Sequence, residues 1–317
     1  MKIVVTGGAG FIGSHVAEAL VNRGHEVTIL DDFNDFYDPL LKKKNLATLK
    51  DHLDIAEIDL RHEEAVESLF KRVRPEVTFH LAARAGVRPS ILEPKLYLET
   101  NVNGTLHVLE AAHRWGCERV IFASSSSVYG SSTQFPFHEE MPLLQTLSPY
   151  AATKLAGEQL CGNFSHLYGM SIICLRFFTV YGPRQRPDLA IHAFTKAIMQ
   201  GRPLKQFGDG STRRDYTYIE DIVQGVLGAL RYHKKRFDIF NLGEHKTISL
   251  SELLLALEKE LGKRAIIEKF PEQPGDMPHT YADISKAREL LGYNPQVSIN
   301  VGIPKFVEWY RSYAGEN

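Results

Sequence analysis

The chain has 317 residues, of which 44% are hydrophobic and 24% charged, values that suit a folded globular protein and argue against disorder. Lys plus Arg number 37 and Asp plus Glu 38, so no basic footprint points to nucleic acid or an anionic membrane surface. The three cysteines, Cys117, Cys161 and Cys174, have neither metal-ligand spacing nor an even count, and are expected as buried reduced thiols with no metal site.

Met1 leads directly into a strand pattern. Residues 2–6 form a short apolar run ending in glycines, residues 11–23 carry helical periodicity up to Gly24, and residues 26–30 form a second apolar run that ends in Asp31 and Asp32. Apolar runs at 55–58, 77–81, 119–124 and 172–176 continue the series, with helical patterns at 62–73, 100–115 and 150–168 between them. Strands alternating with helices predict crossover connections, a parallel sheet and helices on both faces. The runs are continuously apolar, as strands covered on both faces should be. Beyond Arg176 the texture changes to turn-rich stretches at 181–187, 208–210 and 271–275 with shorter helices between them. We therefore expect a first domain over 1–176 and a smaller α/β domain over 177–317, with the run 237–242 returning to the main sheet. No leader segment is legible and no apolar run is long enough to span a bilayer, so a cytoplasmic protein with no membrane attachment is expected.

Gly7-Gly8-Ala9-Gly10-Phe11-Ile12-Gly13 follows a strand and opens a helix. In that context glycine lets the backbone turn tightly and approach a pyrophosphate, and the helix start offers free amides to its oxygens. The spacing of Gly7, Gly10 and Gly13 differs by one residue from the commonest Rossmann form. Asp31 ends the second strand, 24 residues after Gly7, where a carboxylate accepts hydrogen bonds from ribose hydroxyls and repels a 2′-phosphate. NAD is thus the expected cofactor, in a doubly wound Rossmann sheet, with Gly7, Gly10, Phe11, Ile12, Gly13 and Asp31 around it. Asp59 and Leu60, after the third strand, suit the adenine edge. Leu81, Ala82 and Ala83 end the fourth strand and are small enough for close approach, whereas His80 reads as a core histidine.

Tyr150 and Lys154 lie four residues apart in a helical pattern, just over one turn, so they share a face. A fixed ammonium beside a phenol favours the phenolate, which can take a proton from an alcohol.

Together, GGAGFIG at 7–13, HLAA at 80–83, NVNGT at 101–105, SSSSVYG at 124–130, SPYAATK at 148–154, LRFFTVYGPRQRP at 175–187, RDYTYIED at 214–221 and PGDMPHTYAD at 274–283 resemble the extended short-chain dehydrogenase/reductases. Over essentially the whole length the chain is similar to their nucleotide-sugar epimerases and dehydratases. Through AGVRPS at 85–90 and TVYGPRQRPD at 179–188 it most resembles the UDP-glucuronate 4-epimerases. The resemblance implies that Tyr150 takes the proton of a sugar 4-hydroxyl, that Lys154 depresses its pKa and holds the nicotinamide ribose, and that Ser125 bonds the 4-oxygen. It places Asn101 at the cofactor. It implies a UDP-sugar substrate and a homodimer formed through helices at 101–115 and 150–168. Sugar 4,6-dehydratases of the family carry Asp-Glu where this chain has Ser126 and Ser127, and decarboxylating relatives carry Glu at the position of Ser127. A hydroxyl cannot replace a carboxylate base at neutral pH, so simple inversion at C4 is implied. For a uronate carboxylate, Ser126, Ser127, Thr179, Arg186 and Arg88 are the implied contacts. For the nucleotide they are Lys205 to Phe207 at the uracil, Arg214 at the diphosphate and Asp276 at the uridine ribose. Gln273 departs from the arginine that often precedes Pro-Gly-Asp in related epimerases, so the diphosphate leans more on Arg214. UDP-glucose 4-epimerisation is the alternative activity. A reductase or dehydratase, or a non-catalytic NAD sensor, stands further off.

Overall fold

The computed structural model describes residues 1–271, 277 and 279–315. The strands in chain order are β1 (Lys2–Thr6), β2 (Glu26–Asp31), β3 (Leu53–Glu57), β4 (Val77–His80), β5 (Arg119–Ser125), β6 (Ser171–Phe177), β7 (Thr179–Tyr181), β8 (Pro203–Phe207), β9 (Arg213–Arg214), β10 (Tyr216–Tyr218), β11 (Phe237–Leu242), β12 (Ile248–Ser249) and β13 (Ile266–Phe270). Seven of them form one sheet in the order β11-β6-β5-β4-β1-β2-β3, with every neighbouring pair parallel. The apolar runs are buried on both faces for a visible reason. Ile3 and Val5 pack with Val16, Leu20, Ile222 and Val226, while Val4 between them packs with Val66, Phe70, Val108 and Leu109. Alternate side chains of one strand therefore enter two different cores, one beneath each helical layer.

The chain reverses direction across the sheet at β1. It first winds outward through β2 and β3, then crosses to β4 on the other side of β1. The strand ends at such a switch point open a crevice, because the connecting loops leave in opposite directions. Residues beyond β6 supply three small two-stranded ladders, β7 with β10, β8 with β13 and β9 with β12.

Two boundaries differ from the periodicity. β3 begins at Leu53 rather than 55, and most of its residues are exposed at the outer edge of the sheet. The long helical pattern at 100–115 is interrupted. An α-helix over Pro94–Leu98 runs into a π-helical turn over Glu99–Asn103 before the helix Gly104–Arg114. The wider turn carries Asn101 into the interior, which a 3.6-residue period cannot anticipate. Among the described residues no helix is long and apolar enough to cross a membrane.

Candidate active site

The crevice at the switch point is a cleft of about 460 Å³. Its first wall is the glycine loop after β1. Gly7 has φ +66°, and a Cβ there would stand 2.7 Å from both N and Cα of Ala82. The backbones after β1 and β4 are therefore in direct contact, and only glycine fits. A Cβ on Gly13 would come to 2.1 Å from the Gly7 carbonyl oxygen, so the helix Phe11–Val21 seats its first turn on the loop. That helix has no side-chain N-cap and no acidic residue in its first turn. Its leading amides, in a helix that begins at the cleft wall, are left for an anionic group. This cradle fits the pyrophosphate of a dinucleotide.

Asp31 lines the same wall, but its carboxylate is largely engaged. Oδ2 accepts from the Ala9 amide at 3.1 Å, and Oδ1 accepts from the Phe33 amide at 3.0 Å and from Lys42 Nζ at 3.3 Å. A carboxylate offers about four acceptor sites, so about one remains for a ribose hydroxyl. Burial pushes this carboxyl up and Lys42 opposes the shift. Lys42 was not legible as a site residue. It lies within three consecutive lysines, which read as a solvated face, and only the helix Pro39–Leu46 turns it inward.

The remaining cofactor candidates divide. Gly10, Phe11, Ile12, Asp59, Leu60, Leu81, Ala82 and Ala83 all line the cleft. Asp59 is also paired with Arg61, at 2.6 Å. Asn101 does not line it. Its Oδ1 accepts from the Arg84 amide at 2.7 Å, and its Nδ2 donates to the Arg84 carbonyl and to Thr153 Oγ1 at 2.9 and 3.0 Å. Three of the four hydrogen-bonding sites of the buried amide are taken in bracing the loop after β4, so in this structure Asn101 stands as a strut behind the wall rather than on it. His80 is core. It bridges Thr6 Oγ1 at 2.7 Å and Thr105 Oγ1 at 2.9 Å, and burial, then the Lys154 charge, depress its pKa to about 3.

The chemistry gathers at the end of β5. Ser148 caps the next helix, Pro149–Tyr168, accepting from the Ala151 amide at 3.2 Å, and Pro149 fills the first turn. Tyr150 and Lys154 thus fall in the first two turns, facing the sheet. A Cβ on Gly157 would meet the Phe122 ring at 2.5 Å, so the helix lies close enough for Lys154 Nζ to donate to the Ala123 carbonyl at 2.7 Å. Burial lowers the Lys154 pKa to about 8. Its Nζ stands 6.0 Å from the centre of the Tyr150 ring.

Burial raises the pKa of the Tyr150 phenol above its ordinary value. The opposing pulls come from a hydrogen bond with Ser125 and from the Arg186 charge. The Lys154 ammonium is directed to the Ala123 carbonyl rather than to the phenol oxygen. Packing sets the serines of 124–127 in different directions. Ser124 donates to Glu158 Oε1 at 2.5 Å, behind the site. Ser125 faces the phenol, and its Oγ accepts from the Ser127 amide at 3.2 Å and from the Ser127 hydroxyl at 3.0 Å. Glu158, one turn beyond Lys154, is locked side-on to the fully buried Arg176 at 2.8 and 2.7 Å. Spacing gave no sign of this pair, since the two residues meet only across helix and sheet.

Ser126, Ser127, Thr179, Arg186 and Arg214 line the same end of the cleft. Arg186 is not free: Nε and Nη2 donate to Asp188 at 2.9 and 2.8 Å. Arg88, Lys205 and Phe207 stand off the wall. The Arg88 guanidinium carbon lies 4.3 Å from the centre of the Phe207 ring, and Lys205 is exposed with its Nζ 5.4 Å from the Phe270 ring. Asp276 and Gln273 lie outside the described residues.

A phosphate cradle at a switch point, with a Tyr–Lys pair and a serine across from it, defines a dinucleotide-binding α/β protein equipped for proton transfer. The chain belongs to the NAD dependent epimerase/dehydratase family, whose model matches residues 3–243. It is 42% identical to UDP-glucuronate 4-epimerase 4 of Arabidopsis thaliana, over 99% of this chain and 76% of that one. Among solved structures it resembles the UDP-glucuronic acid 4-epimerase of Bacillus cereus in complex with UDP-glucuronic acid and NAD, at a TM-score of 0.92 and 37% identity, covering 99% of this chain and 100% of that chain. The UDP-glucose 4-epimerase of Thermotoga maritima with UDP-glucose has the same TM-score, 0.92, at 33% identity and the same coverage of both chains, 99% and 100%.

Proposed function

We propose that this chain is a UDP-glucuronate 4-epimerase, interconverting UDP-glucuronate and UDP-galacturonate. The observation that carries the reading is the lining around Tyr150. It offers hydroxyls from Ser125, Ser126, Ser127 and Thr179 and the cation of Arg186, while the acidic lining residues among those described, Asp31, Asp32 and Asp59, all lie at or just beyond the ends of β2 and β3, at the cofactor end. Such a lining can oxidise and reduce an alcohol, yet it has no carboxylate to eliminate water.

NAD, held by the Gly7–Gly13 cradle and Asp31, would supply reversible hydride acceptance at C4, so that a 4-keto sugar forms and is reduced again on its other face. Tyr150 takes the 4-hydroxyl proton as that oxidation begins and returns it at the end. Ser125 has one hydroxyl proton to donate, to the phenolate before the transfer or to the 4-oxygen as charge develops there, and lowers the cost of the anion it meets. Arg186 adds a positive charge beside the phenol. Lys154, anchored on Ala123, orients the cofactor ribose.

A 4-keto uronate is a β-keto acid and loses carbon dioxide when its carboxyl bond aligns with the carbonyl π system. Ser126, Ser127, Thr179 and Arg186 would hold the carboxylate out of that alignment through charge-assisted hydrogen bonds. Arg214 would bind the diphosphate, Asp276 the uridine ribose and the backbone of 205–207 the uracil, with Arg88 stacked on Phe207. On this reading residues 1–176 with 237–242 hold the cofactor and most of 177–317 holds the UDP-sugar. We further infer a cytoplasmic homodimer through helices at 101–115 and 150–168. Leu167 and Tyr168, exposed by 67% and 50%, support a covered face there, and sedimentation as a monomer would end that inference.

One observation favours UDP-glucose as a second reading: the side-on edge of Arg186 is already taken by Asp188. Purified protein incubated with each sugar nucleotide, without added reductant, separates the two by NMR at C4. UDP-galacturonate should form from UDP-glucuronate, and inversion of UDP-glucose alone would sink the primary reading. Tyr150→Phe should lower the rate by about 10³-fold, the range of a lost general base, while NAD is retained.

A further inference from the structure

Asp188 follows Pro187 at the outer end of the loop that carries Arg186, just ahead of the helix Ala190–Gln200. Its two oxygens take Nε and Nη2 of Arg186 at 2.9 and 2.8 Å, the side-on fork–fork geometry. The guanidinium carbon lies 5.6 Å from the centre of the Phe36 ring. Among the described residues Nη1 donates no hydrogen bond. Arg186 lines the cleft, whereas Asp188 does not, so the carboxylate holds the guanidinium from behind.

The loop itself is stiff. Pro187 restricts the backbone between the two partners, Leu189 donates to the Arg186 carbonyl at 3.2 Å, and Gln185 is tied to the Val180 carbonyl at 3.2 Å and to His192 at 2.7 Å. Arg184, at φ +64°, is held to Glu18 on the cofactor-binding helix at 2.8 Å. A long arginine side chain alone would sample many rotamers. Here one edge is fixed from outside the cleft and the other edge is left over.

We infer that Asp188 is a positioning residue for uronate recognition: its side-on pair with Arg186 fixes the guanidinium plane and leaves the Nη1 edge to meet the sugar carboxylate. The inference rests on the uronate reading above and names a residue that acts through Arg186 rather than on the substrate. The opposite role for Asp188, an internal carboxylate competing with the substrate, predicts the reverse sign of effect.

Binding is measured calorimetrically on the NAD-loaded Tyr150→Phe protein, so that turnover does not intervene. Asp188→Ala should weaken UDP-glucuronate by about tenfold, the worth of one charge-assisted hydrogen bond, and UDP-glucose by less than about twofold. Asp188→Asn should fall between, because its amide oxygen still accepts from Nε. In the active protein KM for UDP-glucuronate should rise by more than kcat falls. Equal weakening of both sugars would make Asp188 merely structural, and tighter uronate binding would make it a competitor; either overturns the inference. Arg186→Ala is the control for the parent reading. If it weakens both sugars equally, the carboxylate reading of Arg186 fails and this inference with it. If it discriminates while Asp188→Ala does not, only the role of Asp188 fails.

Discussion

The two ends of the cleft are built from different materials. At the cofactor end, backbone meets backbone: Gly7 against Ala82, and the first helical turn against Gly7. At the other end, the lining Arg186 is held by a side chain, Asp188, and behind the wall Arg184 pairs with Glu18 and Arg213 with Glu252 at 3.2 Å. A backbone cradle has few soft degrees of freedom and suits a group that stays bound through every cycle. Ion-paired arms can exchange partners, which suits a substrate that must enter, turn over and leave.

That contrast can be broken first at Gly7. Gly7→Ala places a Cβ at left-handed φ, 2.7 Å from backbone, where no flexible group can yield. It should remove about 2–3 kcal/mol of stability and reduce NAD affinity by about 100-fold or more, read by urea unfolding and cofactor titration. Ordinary NAD binding by this variant would mean that the cradle is soft after all.

Lys154 lies where the ends meet, and its effect depends on pH. Its folded pKa of about 8 is below the 10.5 of a free lysine, so the unfolded chain binds this proton more tightly. Below about pH 8 the buried ammonium therefore burdens the NAD-free fold, and the burden lifts as pH rises from about 8 to about 10.5. Over that window the wild type should gain up to about 3 kcal/mol relative to Lys154→Met. A constant difference between the two proteins would show that the amine stays charged without penalty.

The smallest effect is expected at Lys205, whose side chain is exposed and off the cleft wall. If the backbone of 205–207 reads the uracil, Lys205→Ala should change KM by less than about twofold. A larger loss would mean that the substrate draws this edge inward.

What was legible followed the range of each signal. The glycine loop announces itself because a strand, a tight turn and a helix start occupy a dozen consecutive residues. Tyr150 and Lys154 share a face for an equally local reason, the 3.6-residue turn. Lys42 was hidden in a lysine run, since its sign as a site residue is burial beside Asp31. Asn101 was drawn to the cofactor by its motif, whereas the π-helical turn points it at the Arg84 backbone instead. The source of the pull on the phenol also needed three dimensions. Lys154 is close in sequence and its ammonium turns to Ala123, while Arg186, 36 residues beyond Tyr150, adds a positive charge that lowers the phenol's pKa.

The sequence by itself determined the winding of the sheet, the cradle and the shared face of Tyr150 and Lys154, because each depends on periodicity or spacing within one or two elements. Only the tertiary structure decided which serine faces the phenol, which cation acts on it, and how the arginine of the sugar end is held. Those outcomes turn on a few ångströms between β5, the helix after it and the loop after β7. Such separations arise from packing, and no local pattern encodes them.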